Sequence, residues 1–168
     1  ALGMDWNGFE EEIKNAKADL IGIGGLTPTI DSTLRAAKIC RPHTGILVMG
    51  GPHISAYGRE YFKNCPDLDF GIVGEGEESF AALVRRLERG ESPWDVPGLV
   101  GPESANIPGD GIADLDSIAF PARHLLPSLA YRYALWPGKK MTTMITSRGC
   151  PYQCIFCDKS IFGSKWRA

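Results

Sequence analysis

Three short apolar runs that end in glycine limit what this chain can fold into more than any other sequence feature. The runs span residues 20–23, 46–49 and 70–73. They lead into Gly24-Gly25, Gly50-Gly51-Pro52-His53 and Gly74-Glu75-Gly76-Glu77, respectively. A run without polar positions is typical of a strand buried on both faces, as in a parallel sheet. We therefore expect the glycine turns to lie at the carboxyl edge of one sheet, where open α/β sheets bind ligands.

Apolar residues at helical spacing precede, separate and follow these runs. The patterns are Phe9, Ile13 and Ala16; Ile30, Leu34 and Ala37, with Asp31 or Ser32 as the N-terminal cap; residues 55–63; and Phe80, Leu83, Val84 and Leu87, with Gly90 as the C-terminal cap residue. The alternation predicts an α/β fold, a partial flavodoxin-like (Rossmann-like) parallel sheet with right-handed crossovers and helices on both faces. Because only three such runs precede residue 90, we expect residues 1–92 to be a partial domain whose front lies outside this sequence.

Residues 93–139 differ in composition. Proline recurs there and breaks any long helix, at Pro93, Pro97, Pro102, Pro108, Pro121, Pro127 and Pro137. Apolar residues persist, namely Leu115, Ile118, Phe120, Leu125 and Leu126. We predict a linker that packs on its neighbours, with a short edge strand at Leu99-Val100. Residues 140–168 are predicted to begin a second, truncated domain, whose first strand is the β-branched segment 141–147.

Three of the five cysteines, Cys150, Cys154 and Cys157, crowd into a C-x3-C-x2-C segment. A disulfide framework spreads its cysteines along the chain, so the crowding indicates a metal or cluster site in a reducing compartment, and we expect a cytoplasmic location. Sulfur ligands favour an iron–sulfur cluster, zinc or copper(I). A structural zinc site would need a remote fourth ligand from His124, Cys40 or Cys65. A redox pair of Cys154 and Cys157 would leave Cys150 without a role.

Composition excludes some partners. A net charge of −2 gives no electrostatic reason to expect nucleic acid or an anionic membrane as a partner. The apolar runs fall far short of the ~20 residues that span a bilayer, so no membrane span is expected.

The cysteine segment, with Gly149 before it and Phe156 inside it, resembles the signature of the radical S-adenosylmethionine superfamily. The resemblance implies that the three cysteines ligate a [4Fe–4S] cluster whose open iron binds S-adenosylmethionine, and that Phe156 lies beside the adenine. One electron, from a donor such as flavodoxin or ferredoxin, would then yield methionine and a 5′-deoxyadenosyl radical. The resemblance also implies that the cysteine loop follows the first strand of a partial (β/α) barrel. Since most of that barrel is not in this sequence, we expect the chain alone to be inactive.

The glycine turns, with Asp114-Leu115-Asp116 and Phe120-Pro121-Ala122-Arg123 in the linker, resemble radical enzymes that carry an N-terminal cobalamin-binding domain. These include cobalamin-dependent methylases and the anaerobic cyclase of magnesium-protoporphyrin monomethyl ester. The resemblance implies methylation or oxidative cyclisation at an unreactive carbon of a small-molecule substrate. It also implies that six glycines lie against the corrinoid or its nucleotide tail: Gly24, Gly25, Gly50, Gly51, Gly74 and Gly76.

Other candidate residues receive simpler interpretations. The D-x-H-x-x-G motif, whose histidine binds cobalt in other cobalamin proteins, does not occur here. His53 is interpreted as a polar turn residue rather than a cobalt ligand. Glu75 and Glu77 either orient a ligand or serve as first-turn acids of the following helix. Four residues are assigned to solvent or packing, the histidines His43 and His124 and the buried thiols Cys40 and Cys65.

Two alternative functions stay open. A radical methylthiotransferase also places an α/β domain before its cluster, but that family brings three further cluster cysteines in the front domain, where only Cys40 and Cys65 occur. The other alternative is a non-catalytic cobalamin- or nucleotide-binding module with a metal-bound loop.

Overall fold

A computed structural model of the chain describes residues 4–125, 141–157 and 165–168. The helices are α1 (Trp6–Ala16), α2 (Ile30–Cys40), α3 (Pro52–Tyr57) and α4 (Glu77–Glu88), and the strands are β1 (Leu20–Gly24), β2 (Ile46–Gly50), β3 (Phe70–Ile72) and β4 (Leu99–Val100). Short 3-10 turns occur at Thr27–Thr29, Arg41–His43, Gly58–Lys63, Leu115–Ser117 and Arg123–Leu125. No helix among these described residues is long and apolar enough to cross a membrane.

The strands form one sheet in the order β1-β2-β3-β4. The first three are parallel, and Gly24 lies opposite Gly50 at the carboxyl edge. β4 runs antiparallel to β3, with Ile72 opposite Leu99, so the predicted edge strand is confirmed. The alternation of apolar runs and helical patterns therefore predicted the α/β sheet correctly.

β2 shows why the runs are apolar throughout. Leu47 and Met49 face one core cluster, which includes residues of α1, α2 and α3. Val48 and the partly buried Ile46 face a second cluster, which includes Leu83 of α4. Successive strand residues point to opposite faces, so a strand covered by helices on both sides has no polar position. The predicted coverage of both faces is confirmed.

Local boundaries differ from prediction in two helices. α2 begins at Ile30 and follows directly on the turn Thr27–Thr29, so neither Asp31 nor Ser32 is its cap. Pro28 explains the early start, because its fixed φ favours the turn that leads into the helix. The helical pattern at 55–63 is divided, since α3 ends at Tyr57 and Gly58, with a φ of 55°, begins a 3-10 turn.

The proline-rich stretch packs on the sheet near its start, where Val96 belongs to the core cluster that contains Val48. Ile112 is also buried, whereas Phe120 and Leu125 are exposed. Leu126, Pro127 and Pro137 lie outside the described residues. No strand is found in the described segment 141–147; Arg148, directly after it, forms an isolated antiparallel bridge with Arg167. β-Branched composition favours extended backbone, but a strand also needs a neighbour to accept its hydrogen bonds.

Candidate cofactor cleft and cysteine segment

A cleft of about 570 Å³ lies at the carboxyl edge of the sheet, and we call it the glycine cleft. Its lining includes residues from the ends of all three parallel strands and from the turns that follow them. Five of the six predicted cofactor glycines line it: Gly24, Gly50, Gly51, Gly74 and Gly76. Parallel strands bring their carboxyl ends to one edge, which is why glycines far apart in sequence meet here.

The glycines of the cleft serve different purposes. A Cβ added at Gly24 or Gly50 would meet no atom within 4 Å, so a larger side chain at either position would project into open space. Gly51 has a φ of 106°, and an added Cβ would lie 2.9 Å from the carbonyl oxygen of Gly25. Gly24 and Gly50 therefore keep the cleft open, whereas the backbone conformation at position 51 requires glycine.

Gly25, the sixth predicted cofactor glycine, is buried and is not among the residues that line the cleft. Its N–H donates to the Gly50 carbonyl at 2.9 Å, and its own carbonyl accepts from the His53 N–H at 3.1 Å. An added Cβ would lie 2.0 Å from Cε of Met49. In this structure Gly25 joins the first glycine turn to the second.

His53 lies in the core rather than in an exposed turn. Only 5% of its surface is exposed. Its Nδ1 lies 3.0 Å from the Thr27 hydroxyl oxygen, and its ring packs on Tyr57 and Tyr61. Burial lowers the pKa of His53, which favours the neutral imidazole. The residue does not line the glycine cleft. It lies in α3 and is buried, so its interpretation as a polar turn residue was wrong.

The remaining histidines and thiols also have packing or surface positions. His43 is half-buried with its Nε2 3.2 Å from Glu10 Oε1, and His124 is exposed. Cys40 and Cys65 are buried, as predicted. Burial raises the pKa of both thiols, which favours the uncharged form of a packed side chain.

Glu75 is a buried carboxylate at the rim of the glycine cleft, with 4% of its side chain exposed. It accepts hydrogen bonds from Nη1 of Arg148 at 2.9 Å, from the guanidinium of Arg167, and from the Ile112 N–H at 3.1 Å. Burial alone would raise the pKa of Glu75, but the hydrogen bonds from Arg167, Ile112 and Arg148 outweigh it and lower the pKa. Glu77, in the first turn of α4, also pairs with Arg148.

The sequence therefore identified Glu75 and Glu77 as candidates but not their partners. Both alternatives considered for these acids, ligand orientation and the helix dipole, left out Arg148 and Arg167. The only hint in the sequence is that Arg148 directly precedes Gly149-Cys150. No local pattern connects this arginine to a carboxylate in another segment.

The stretch that leads into the cysteine segment contributes to the glycine cleft. Ile145 and Arg148, which precede the cysteines, line the cleft together with the glycines. Cys150 is half-buried, and Cys154 and Cys157 are exposed. Phe156 is 89% exposed and does not line the cleft. Within the described ranges, no group of three histidine, cysteine, aspartate or glutamate side chains is arranged to hold a metal ion.

The donor set of this segment still fits an iron–sulfur cluster by its chemistry. Three thiols lie within a short stretch without helix or strand, and the Cys157 N–H donates to the Cys154 carbonyl at 3.2 Å. Thiolates are the usual ligands of iron–sulfur clusters. A segment without helix or strand does not hold the three cysteine side chains apart, so they can converge on one cluster.

The B12-binding domain family matches residues 2–84 of this chain. An uncharacterised methyltransferase of Pyrococcus horikoshii is 33% identical over 99% of the chain and 37% of its own length. The anaerobic magnesium-protoporphyrin IX monomethyl ester cyclase of Rubrivivax gelatinosus is 30% identical over 94% of the chain and 30% of its own length. The chain thus spans about a third of the length of these relatives.

A solved structure supports the same relationship at the level of the fold. The radical S-adenosylmethionine methyltransferase TsrM of Kitasatospora setae, with cobalamin and a [4Fe–4S] cluster bound, matches with a TM-score of 0.67. The match covers 96% of this chain and 35% of TsrM at 18% identity, so it shows the fold alone. Residues 2–84 are thus similar to the B12-binding domain family, and the relatives of the chain include methyltransferases, one of them a cobalamin-dependent radical S-adenosylmethionine methyltransferase of Streptomyces tokunonensis, and magnesium-protoporphyrin cyclases.

Proposed function

We propose that this chain supplies the cobalamin cleft and the cluster segment of a radical S-adenosylmethionine enzyme that methylates or oxidatively cyclises an unreactive carbon of a small molecule. The observation that carries the proposal is that Ile145 and Arg148, which shortly precede the cysteines in the sequence, line the glycine cleft. When bound, the cluster would supply one electron that cleaves S-adenosylmethionine to methionine and a 5′-deoxyadenosyl radical, and cobalamin would carry the methyl group. An electron donor such as flavodoxin or ferredoxin belongs to the same proposal.

The glycine cleft would hold the corrinoid. Gly24 and Gly50 present backbone without side chains, so a large flat ligand can approach the strand ends closely. Ile23, Val48 and Ile72 make part of the lining apolar. A mostly apolar lining with a few polar side chains is typical of small-molecule sites.

Cys150, Cys154 and Cys157 would hold the [4Fe–4S] cluster. A cluster held by three protein ligands would have one iron available to bind S-adenosylmethionine. Phe156 would lie beside the adenine. Its exposed position leaves the ring free to make that contact.

A methylthiotransferase is a weaker alternative on structural grounds. It would need cluster ligands in the front domain. The two cysteines there, Cys40 and Cys65, are 0% and 3% exposed and belong to the hydrophobic core.

The test is anaerobic reconstitution of the complete gene product with iron and sulfide, followed by electron paramagnetic resonance of the reduced protein with and without S-adenosylmethionine. We expect a four-iron signal that shifts when S-adenosylmethionine is added and is lost or strongly weakened in Cys154→Ala. The control is Cys65→Ala, which removes a thiol outside the segment and is expected to keep the signal. Purification with tightly bound zinc and no cluster would contradict the proposal and favour a binding module with a metal-bound loop.

A further inference from the structure

Arg148 and Arg167 form a bridge that brackets the cysteine segment. The N–H of each residue donates to the carbonyl of the other, both at 2.8 Å. The three cysteines lie between these two positions in the sequence. We call this residue pair the loop base, because any movement of the pair moves the start of the segment that carries the cysteines.

The side chains of the loop base converge on Glu75. One carboxylate accepts hydrogen bonds from both guanidinium groups, and the exposed fractions of the side chains are 4% for Glu75, 14% for Arg148 and 7% for Arg167. The Arg167 Nη1 also donates to the Ile112 carbonyl at 2.6 Å. Glu75 therefore connects the turn after β3, the proline-rich stretch and both residues of the loop base.

Two properties allow the ion pairs with Glu75 to fix the orientation of the arginine side chains. The guanidinium group has a planar arrangement of donors, so a carboxylate that it binds also fixes its orientation. Arg167 is buried, and its Nε has no hydrogen-bond partner among the described residues. Its charge therefore depends on Glu75 for compensation, because buried charges are stable only when paired.

Glu75 also lines the glycine cleft, and its two arginine partners flank the cysteine segment in the sequence. We propose that Glu75 is a positioning residue that fixes the loop base, and with it the start of the cysteine segment, against the glycine cleft. The inference rests on the proposed function, since it assigns the carboxylate the task of holding the cluster at a set distance from cobalamin.

The experiment compares Glu75→Gln with Glu91→Gln in the complete gene product. The glutamine at 75 keeps the shape of the side chain and removes its charge. Glu91 pairs with Arg86 at the surface and serves as the matched control, since it makes the same kind of ion pair outside the network. Arg167→Gln breaks the network from the other side and leaves Glu75 paired with Arg148, in case Glu75→Gln does not fold.

The first readout is hydrogen exchange at the amides of Arg148 and Arg167, which needs no cofactor. We expect exchange in Glu75→Gln or Arg167→Gln to be at least about tenfold faster than in the wild type, because local opening governs exchange. Glu91→Gln should match the wild type. The second readout is the magnetic interaction between the reduced cluster and cob(II)alamin in the electron paramagnetic resonance spectrum. It should weaken in the network variants while iron and cobalamin contents stay at wild-type levels.

Unchanged exchange in both network variants overturns the inference. Faster exchange with an unchanged magnetic interaction also overturns it, because the network would then stabilise the fold without setting the cofactor distance. If the wild-type protein takes up neither cobalamin nor a cluster, the proposed function fails, and the hydrogen exchange result still decides whether Glu75 holds the loop base.

Discussion

Gly51→Ala should destabilise the protein even though Gly51 lies at the rim of an open cleft. Gly51 has a φ of 106° and a ψ of −177°, a backbone region that is essentially restricted to glycine. Holding alanine there costs about 1–3 kcal/mol. The added Cβ would also lie 2.9 Å from the carbonyl oxygen of Gly25, which accepts the His53 N–H. Weakening that hydrogen bond adds about 1 kcal/mol, for a total of about 2–4 kcal/mol.

Gly50→Ala is the matched control. It adds the same methyl group one residue earlier, where nothing lies within 4 Å. The unfolded chain loses some conformational freedom, so the free energy of unfolding should stay the same or rise by up to about 1 kcal/mol.

The assay is urea unfolding followed by far-ultraviolet circular dichroism, with the midpoints compared at equal m-values. The reasoning is refuted if Gly51→Ala unfolds at the wild-type urea concentration, or if the two variants lose equal stability. Equal losses would mean that crowding at the rim, rather than the conformation of Gly51, sets the requirement for glycine.

Three further outcomes are expected. Gly24→Leu should weaken cobalamin binding about tenfold or more without lowering the free energy of unfolding, because the leucine side chain would enter open space in the cleft. Titration with hydroxocobalamin, followed by absorbance, measures the change in affinity. The wild type should be more stable than Glu75→Gln at neutral pH, because the folded state lowers the pKa of Glu75. This difference in the free energy of unfolding should be complete above the ordinary glutamate pKa of about 4.3 and should be lost as the pH falls through the lowered folded-state pKa. Urea midpoints measured between pH 7 and pH 3 test this. Tyr61→Phe should be neutral or stabilising by about 1 kcal/mol in urea unfolding, because the buried Tyr61 hydroxyl has no hydrogen-bond partner among the described residues. A clear loss of stability in Tyr61→Phe would indicate a partner for that hydroxyl.

Much of the fold was predictable because its causes are local or periodic. Val48 and Met49 are apolar in succession because helices cover both faces of β2, and that condition leaves its pattern in the sequence itself. Gly90 marks the end of α4 with a φ of 67°, as its residue type indicated. The cleft glycines followed from a general rule, that parallel strands end at a common edge.

The errors arose where one segment depends on another. Residues 141–147 have strand composition but no strand in this structure, since composition supplies no partner for the hydrogen bonds. Gly25 has the same local pattern as Gly24, but it is buried against Met49 and Gly51 and is not among the residues that line the cleft, so its contact with a cofactor stays a prediction.

The sequence by itself determined two features of this protein: a parallel sheet whose strands end in glycine, and a segment with closely spaced thiols. Only the tertiary structure decided how these parts meet. Glu75 pairs with arginines that lie 73 and 92 residues further along the chain. Residue spacing cannot encode a contact of that range, because the energy that selects it is the compensation of charges that become buried only after the chain has folded.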